Sequence, residues 1–384
     1  MTKKIAFIIN HSSFFVSHRL PLATAAIKEG FKVRLITGKA SSLTMEEDSK
    51  NILKKIKLNH KLTMFKSSSI NPFTELIGFI QIILTLISNK PNIVHTASIK
   101  GTIYGGLAAK ILGINSLVIS ISGLGFVFTG EKTFSKNIMS FIFKFFLRII
   151  CSHKNKKIIV QNKDDKNFIL NNKFANISEI EMIKGSGVDM SIFKYNELDL
   201  NNRKIIFPAR LLFDKGVKEF LESAEILSKE YPNWEFILAG AYDYKNPSII
   251  SKKILDKYFL NKNIKFLGYV KNMQDIFKNS AIVCLPSYRE GMPKSLLEAA
   301  SVGRAIVTTE TIGCKESIID NFTGLLVPVK DTQSLTTALR KLINSPNLRR
   351  CFGLNGRKFA EDNFDLRIVQ NRVIDIYESL ILKK

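Results

Sequence analysis

The chain has 384 residues, is 45% hydrophobic and 23% charged, and carries a formal net charge of +24. That length leaves room for two domains with cores of their own, and the composition excludes a disordered or fibrous chain. Four widely spaced cysteines, Cys151, Cys284, Cys314 and Cys351, form no C-x-x-C and have no histidine at ligand spacing, which excludes a disulfide framework or a structural zinc site and suits reduced thiols.

The charge is uneven. Residues 1–190 hold 27 Lys/Arg against 11 Asp/Glu, or +16, and the remainder 30 against 22, or +8. A field of this sign attracts phosphate-rich partners, whether anionic lipid or nucleic acid. The opening MTKKIAFIINHSSFF has an apolar run too short for a signal peptide, and no run reaches the roughly 18 residues of a membrane span. The expected location is therefore cytoplasmic.

In chain order, a strand is predicted at 4–10, a loop at 11–17, a helix at 20–29 stopped by Gly30, and a strand at 32–37. This β-loop-α-β unit opens a parallel sheet with crossover helices. Its loop has no G-x-G-x-x-G, so it is not a dinucleotide fingerprint. Strands at 92–96, 117–122, 158–161 and 181–184 continue the pattern, with a helix at 102–112. A polar stretch then interrupts it. The expected organisation is a first domain over 1–185, a linker over 186–202, a second domain over 203–365 and a C-terminal helix over 366–384 that can cross back to the first. The fold class is α/β, with two Rossmann-like domains facing each other across a cleft at the carboxyl ends of their strands.

Two segments of the first domain are unusually apolar. Residues 134–157 place Ile138, Phe141, Phe145 and Ile149 at helical spacing among Lys136, Lys144, Arg148, Lys154, Lys156 and Lys157, and 71–90 is a milder version. Basic amphipathic helices lie in the headgroup layer of anionic membranes. A crossover helix packed on the sheet is the plain alternative.

The most informative stretch is CLPSYREGMPKSLLEAASVG, Cys284 to Gly303. It reads as a strand end, a polar loop with Glu290, and a helix between Pro293 and Gly303 that buries Leu296, Leu297, Ala300 and Val302. Glu298 lies five residues beyond Pro293, about 7.5 Å along the axis, and Glu290 lies further back on the loop. Such a separation is too wide for a glycosidase pair, which needs roughly 5 to 9.5 Å. It suits a long ligand with an anionic middle, received by the N–H groups of Met292, Lys294 and Ser295. In PARLLFDKGVKEFLESA, Arg210 and Lys215 supply bidentate and point-charge phosphate contacts, and Gly216 permits close backbone approach.

These segments, with SHRLPLATAAIKEGFKVRLIT, ISGLGFVFTG, GSGVDMSIF, GCKESI and GLLVP, resemble the family 4 retaining glycosyltransferases of the two-Rossmann B-type (GT-B) fold over essentially the whole chain. The nearest likeness is to the subgroup of polyprenyl-diphosphate-oligosaccharide α-1,3-N-acetylgalactosaminyltransferases. The resemblance implies that Glu290 contacts donor sugar hydroxyls, Glu298 the ribose, Arg210 and Lys215 the diphosphate, and the segment Gly268, Tyr269 and Val270 the nucleobase, with Gly291 and Pro293 in the donor loop. It implies catalytic roles for Glu290, Arg210 and Lys215, and acceptor contacts at His11, Ser12, His18, Gly123 and Gly125. It further implies a UDP-sugar donor, a lipid-linked saccharide acceptor, no metal or other cofactor, a peripheral place on the inner membrane face and no nucleic-acid partner.

Two departures bear on mechanism. The first loop has His11-Ser12-Ser13-Phe14 where many members have a glycine pair, and Ser120-Ile121-Ser122-Gly123 stands where many carry a histidine. No general base is identified. Attack from the leaving-group face, with the departing diphosphate taking the acceptor proton, needs none. His11, His18 and His95 are the substitutes at hand, each with an ordinary loop or core reading. A sugar-nucleotide epimerase on the same fold and a basic nucleic-acid-binding protein are the other classes, and the latter leaves the glutamate motif unexplained.

Overall fold

The computed structural model describes residues 3–40, 43–67, 71–123, 134–244, 246 and 248–382, without the side chains of 43–45 and 134–136. Gly125 and the Lys136 side chain therefore lie outside the described residues. The chain forms two compact units, residues 1–186 with 369–384, and residues 187–368.

In chain order the first unit runs β1 (Lys4–His11), α1 (Ser12–His18), α2 (Leu20–Lys28), β2 (Lys32–Lys39), α3 (Leu43–Lys55), β3 (Asn59–Lys66), α4 (Pro72–Asn89), β4 (Ile93–Ala97), α5 (Ile99–Ile111), β5 (Ser116–Ile121), α6 (Phe134–Cys151), β6 (Lys156–Val160), α7 (Lys163–Asn171) and β7 (Ile180–Met182). The second runs β8 (Lys204–Phe207), α8 (Val217–Glu230), β9 (Glu235–Ala239), α9 (Lys252–Phe259), β10 (Ile264–Gly268), α10 (Met273–Lys278), β11 (Ile282–Leu285), α11 (Lys294–Val302), β12 (Ala305–Thr309), β13 (Gly324–Val327), α12 (Thr332–Ile343) and α13 (Pro346–Phe364), and α14 (Leu366–Leu382) follows.

Both sheets are parallel, ordered β3-β2-β1-β4-β5-β6-β7 and β10-β9-β8-β11-β12-β13. Each is wound outward from its first strand and then restarts on that strand's other side. A crevice therefore opens above the carboxyl ends of β1 and β4 in one unit, and of β8 and β11 in the other, the place where doubly wound folds receive ligands. Burial on both faces explains the unbroken apolar runs of the central strands. In β1, Ile5, Phe7 and Ile9 join one core cluster and Ala6 and Ile8 another, so alternate side chains fill opposite layers.

Several elements differ from their sequence-based reading. The predicted loop 11–17 is the short helix α1, capped by its own histidine, because His11 Nδ1 accepts from the Phe14 amide at 3.2 Å. The expected linker contributes buried Val188 and Leu198 to the second unit's core, and the Val188 amide donates to the Phe364 carbonyl. Residues from Val369 onward return to the first unit, where Val369, Val373, Ile376, Tyr377 and Leu380 pack with Phe7 and Ile9.

The apolar helices also differ. α5 packs against both α4 and α6 on one side of the first sheet. α6 buries Phe143, Leu147 and Ile150 and exposes Ile138, Met139, Phe141, Ile142 and Phe145. The basic stripe is thinner than expected, because Lys156 and Lys157 are ion-paired with Glu179 at 2.6 Å and Glu181 at 2.8 Å. α4 holds no lysine or arginine and exposes Phe73, Leu76, Ile77, Ile80, Leu84 and Ile87. Contrary to the sequence-based expectation, this 18-residue helix is long and apolar enough to cross a membrane by length and composition. Its Glu75 nevertheless ties it to the unit, accepting from Tyr104 and Lys100.

His95 lies at the centre of the first unit, its two ring nitrogens bonded to Tyr377 on α14 and to Ser120 on β5. Burial holds its pKa well below the ordinary imidazole value, so the ring is neutral. Tyr377→Phe leaves one buried nitrogen without a partner, which costs about 1–3 kcal/mol. Thermal unfolding of this variant should show the loss, and an unchanged transition would contradict the packing described.

Candidate nucleotide-sugar site

The carboxyl end of β8 continues into Arg210 and a single 3-10 turn, Phe213–Lys215, before α8 begins. Gly216 joins turn to helix with φ of 74°, and a Cβ there would lie 2.0 Å from the Pro286 carbonyl oxygen. Only glycine tolerates both the left-handed backbone and that approach. The turn is thereby pressed against the loop leaving β11, and Lys215 Nζ meets Glu290 Oε1 at 2.5 Å.

The Glu290 loop is held from the other side by the end of β12. Thr308 and Thr311 donate their hydroxyls to the carbonyls of Leu285 and Tyr288, each at 2.7 Å, and the Glu290 amide donates to Ile312 at 2.9 Å. Gly313 completes the clasp, since a Cβ there would stand 2.4 Å from the Glu290 carbonyl oxygen.

Ser287, which the sequence reading did not single out, fixes the carboxylate itself. Its hydroxyl lies 2.8 Å from Glu290 Oε1 and 3.0 Å from the Asp214 carbonyl. That carbonyl already accepts from the Tyr288 amide at 2.9 Å. A hydroxyl has one proton and both oxygens can only accept, so the proton goes to Glu290, whose carboxylate is the charged and stronger acceptor. Oε1 is then occupied by Lys215 and Ser287, while Oε2 has no partner among the described residues. The available oxygen is a hydrogen-bond acceptor suited to a sugar hydroxyl.

Glu298 sits one turn into α11, 8% exposed, with Lys294 Nζ at 3.3 Å. Burial raises its pKa, and the lysine partly offsets the rise. The two glutamates thus have separate lysines. α11 starts after Pro293 with no side chain capping it, and Gly303 closes its far end at φ of 85°. Its first turn, with Lys294 and Ser295, presents a partial positive charge to the loop. The Met292 side chain belongs to the core, so only its backbone faces that turn.

Arg210 does not join the Lys215–Glu290 pair. It is about half exposed and bonded to Asp243 beyond β9 at 2.9 Å. Asp243 was also missed by the sequence reading, and its one signal is an acid just past a strand end. At the end of β10, Gly268 has a φ of 68°, Tyr269 is 53% exposed, and Val270 packs against Ile206, Ile237 and Ala239. Among described residues, no cluster of three or more His, Cys, Asp or Glu is placed to hold a metal.

The acceptor-side candidates lie at the carboxyl end of the first sheet. Ser12 is fully buried and donates to Glu46 at 2.9 Å. The His11 nitrogen that caps α1 also meets Ser13 Oγ at 2.7 Å, and His18 stacks on Phe14 with centroids 4.5 Å apart. Gly123, beyond β5, has a φ of 87°. His95 is a core residue.

Fold and site together define an enzyme of the two-Rossmann B-type glycosyltransferase class. Residues 4–162 match the family model described as glycosyl transferase 4-like and residues 190–359 the one described as glycosyl transferases group 1, so the chain belongs to the glycosyltransferases. It is 29% identical over 330 residues to a Campylobacter jejuni N,N'-diacetylbacillosaminyl-diphospho-undecaprenol α-1,3-N-acetylgalactosaminyltransferase, covering 83% of this chain and 85% of that one. It is 24% identical over 329 residues to an Escherichia coli UDP-Gal:α-D-GlcNAc-diphosphoundecaprenol α-1,3-galactosyltransferase, 82% of each chain. Sucrose-phosphate synthase from Thermosynechococcus elongatus shares the fold over the full length of both chains, with a TM-score of 0.78 at 14% identity.

Ser287→Ala removes one of the two donors that orient Glu290 and leaves the loop's backbone bonds intact. A hydrogen bond to a charged group contributes about 1.5–3 kcal/mol, so kcat/KM should fall about 10- to 100-fold, and because Ser287 is buried thermal unfolding should show a loss of similar size. Wild-type kinetics in this variant would show that Ser287 does not set the carboxylate.

Proposed function

We propose that this glycosyltransferase transfers an N-acetylhexosamine, N-acetylgalactosamine in the first instance, from a UDP-sugar to a polyprenyl-diphosphate-linked saccharide in cell-surface glycan assembly, with retention at the anomeric carbon. The observation that carries the reading is Glu290, with one oxygen occupied by Lys215 and Ser287 and the other available beside an uncapped helix start. The substrates for which the two relatives are named, undecaprenyl-diphosphate-linked sugars in both and a UDP donor in one, support the same choice.

In this reading the donor diphosphate lies against Lys215, Arg210 and the start of α11, which together receive the charge that develops as the glycosidic bond breaks. Arg210 exchanges its half-exposed contact with Asp243 for the diphosphate. Glu290 Oε2 accepts from a donor hydroxyl, and Glu298, lodged in α11, serves the ribose. The departing diphosphate takes the acceptor proton, a role for which the neutral, fully bonded His95 is unsuited.

Glu290→Ala and Arg210→Ala should each reduce sugar transfer to a polyprenyl-linked acceptor at least about 100-fold, with the fold retained. Release of UDP in an acceptor-dependent assay measures this. Near-normal turnover in either variant, or an isomerised UDP-sugar formed without acceptor, would overturn the assignment.

The outer faces of α4 and α6 are the surface we assign to the membrane, where the acceptor's lipid resides. Their exposed side chains are overwhelmingly apolar, so contact rests on burial of hydrocarbon more than on charge. Flotation with anionic liposomes should persist in about 0.5 M salt, where exposed charges are screened within a few ångströms. Leu84→Ser with Phe141→Ser should release the protein. Flotation lost in salt, or unaffected by the pair, would contradict this mode of docking.

A further inference from the structure

Arg19, in the SHRLP segment, has no assigned role. It links α1 to α2, and its guanidinium reaches the carboxyl end of β5, where one terminal nitrogen donates to Ser122 Oγ at 2.6 Å and the other to the His18 carbonyl at 3.1 Å. Nε has no partner, and the group lies over the Phe14 ring, 5.8 Å from its centroid. The residue is 3% exposed. No carboxylate among the described residues pairs with it.

Two other arginines are as deeply buried, and the fold treats them differently. Arg349 donates to the carbonyls of Leu342, Ile343 and Leu200, and Arg304 to those of Ser280, Asn196 and Val302. Several of these carbonyls end helices, whose negative poles offset a buried cation. Arg19 has one carbonyl and one hydroxyl. Its neighbours His95 and Tyr377 are both held neutral by burial, so no charge among the described residues offsets it. Burial lowers its pKa to about 10, as it does that of Arg304, and all three arginines leave Nε without a partner, so the difference lies in the carbonyls that Arg19 lacks.

Arg304 and Arg349 lie in the core of the second unit, whereas Arg19 stands at the ligand-receiving end of the first unit's sheet. We propose that Arg19, with Ser122, forms an anion site for a phosphoryl group, the diphosphate of the lipid-linked acceptor. A guanidinium is matched to that geometry through paired N–H donors. This assignment rests on the polyprenyl-diphosphate reading of the acceptor and adds to it the residue that holds the acceptor's charge.

The test begins with the wild-type enzyme saturated with UDP, so that the donor's phosphate contacts are filled. Inorganic pyrophosphate should bind to this complex in calorimetry and inhibit transfer competitively against the acceptor. Arg19→Lys should then weaken pyrophosphate and raise the acceptor KM, each about tenfold or more, with UDP affinity unchanged. A protein that binds UDP but no pyrophosphate would overturn the anion site alone, whereas failure to bind UDP would overturn the donor reading on which it rests. Pyrophosphate binding that does not compete with the acceptor would assign the site to a free anion and refute the acceptor contact. An acceptor KM unchanged in Arg19→Lys would do the same. Should that variant not fold, the wild-type competition decides.

Discussion

The candidate site depends on one close approach, the backbone of Gly216 against the carbonyl of Pro286. Strands β8 and β11 lie side by side, and their loops diverge where the sheet restarts. Without that contact the cation from one loop and the carboxylate from the other would sit on separate flaps. With it, Lys215 and Glu290 form a partly buried pair at a fixed spacing, and the threonines at the end of β12 prevent the second flap from moving away. The chemistry assigned to the site therefore rests on a backbone constraint that no side-chain inventory would reveal.

The large positive charge also looks different once its ion pairs within the fold are known. Part of it is consumed internally, as at Lys156 and Lys157. The outer faces of α4 and α6 owe little to it. Charge and hydrocarbon serve different ends here. The first suits the phosphorylated ligands proposed above, and the second is a property of two crossover helices whose inner faces complete an ordinary core.

Much of the architecture was legible because parallel strands buried on both faces leave unbroken apolar runs, as in β1 and β6. Strand β3 was not, since it is an edge strand with exposed polar positions that also blunt unwanted pairing. α1 was read as a loop because its seven residues, SSFFVSH, show no helical period and its cap is a histidine. At the site, Glu290, Glu298, Arg210 and Lys215 were visible as charged residues at telling spacings. Ser287 and Asp243 were not, because serine and aspartate beyond a strand are commonplace and their roles depend on which loop lies opposite. The buried state of Arg19 was equally invisible, since a helix-flanking arginine normally reaches solvent.

The return of α14 to the first unit makes that unit discontinuous in sequence, with the whole of residues 187–368 interposed. During synthesis the first sheet emerges early but lacks the helix that supplies Tyr377 and covers Phe7 and Ile9. The second unit is contiguous and needs nothing that comes later. The order of completion on the ribosome is thus the reverse of the order of emergence, and the earlier half spends the interval with one layer of its core uncovered.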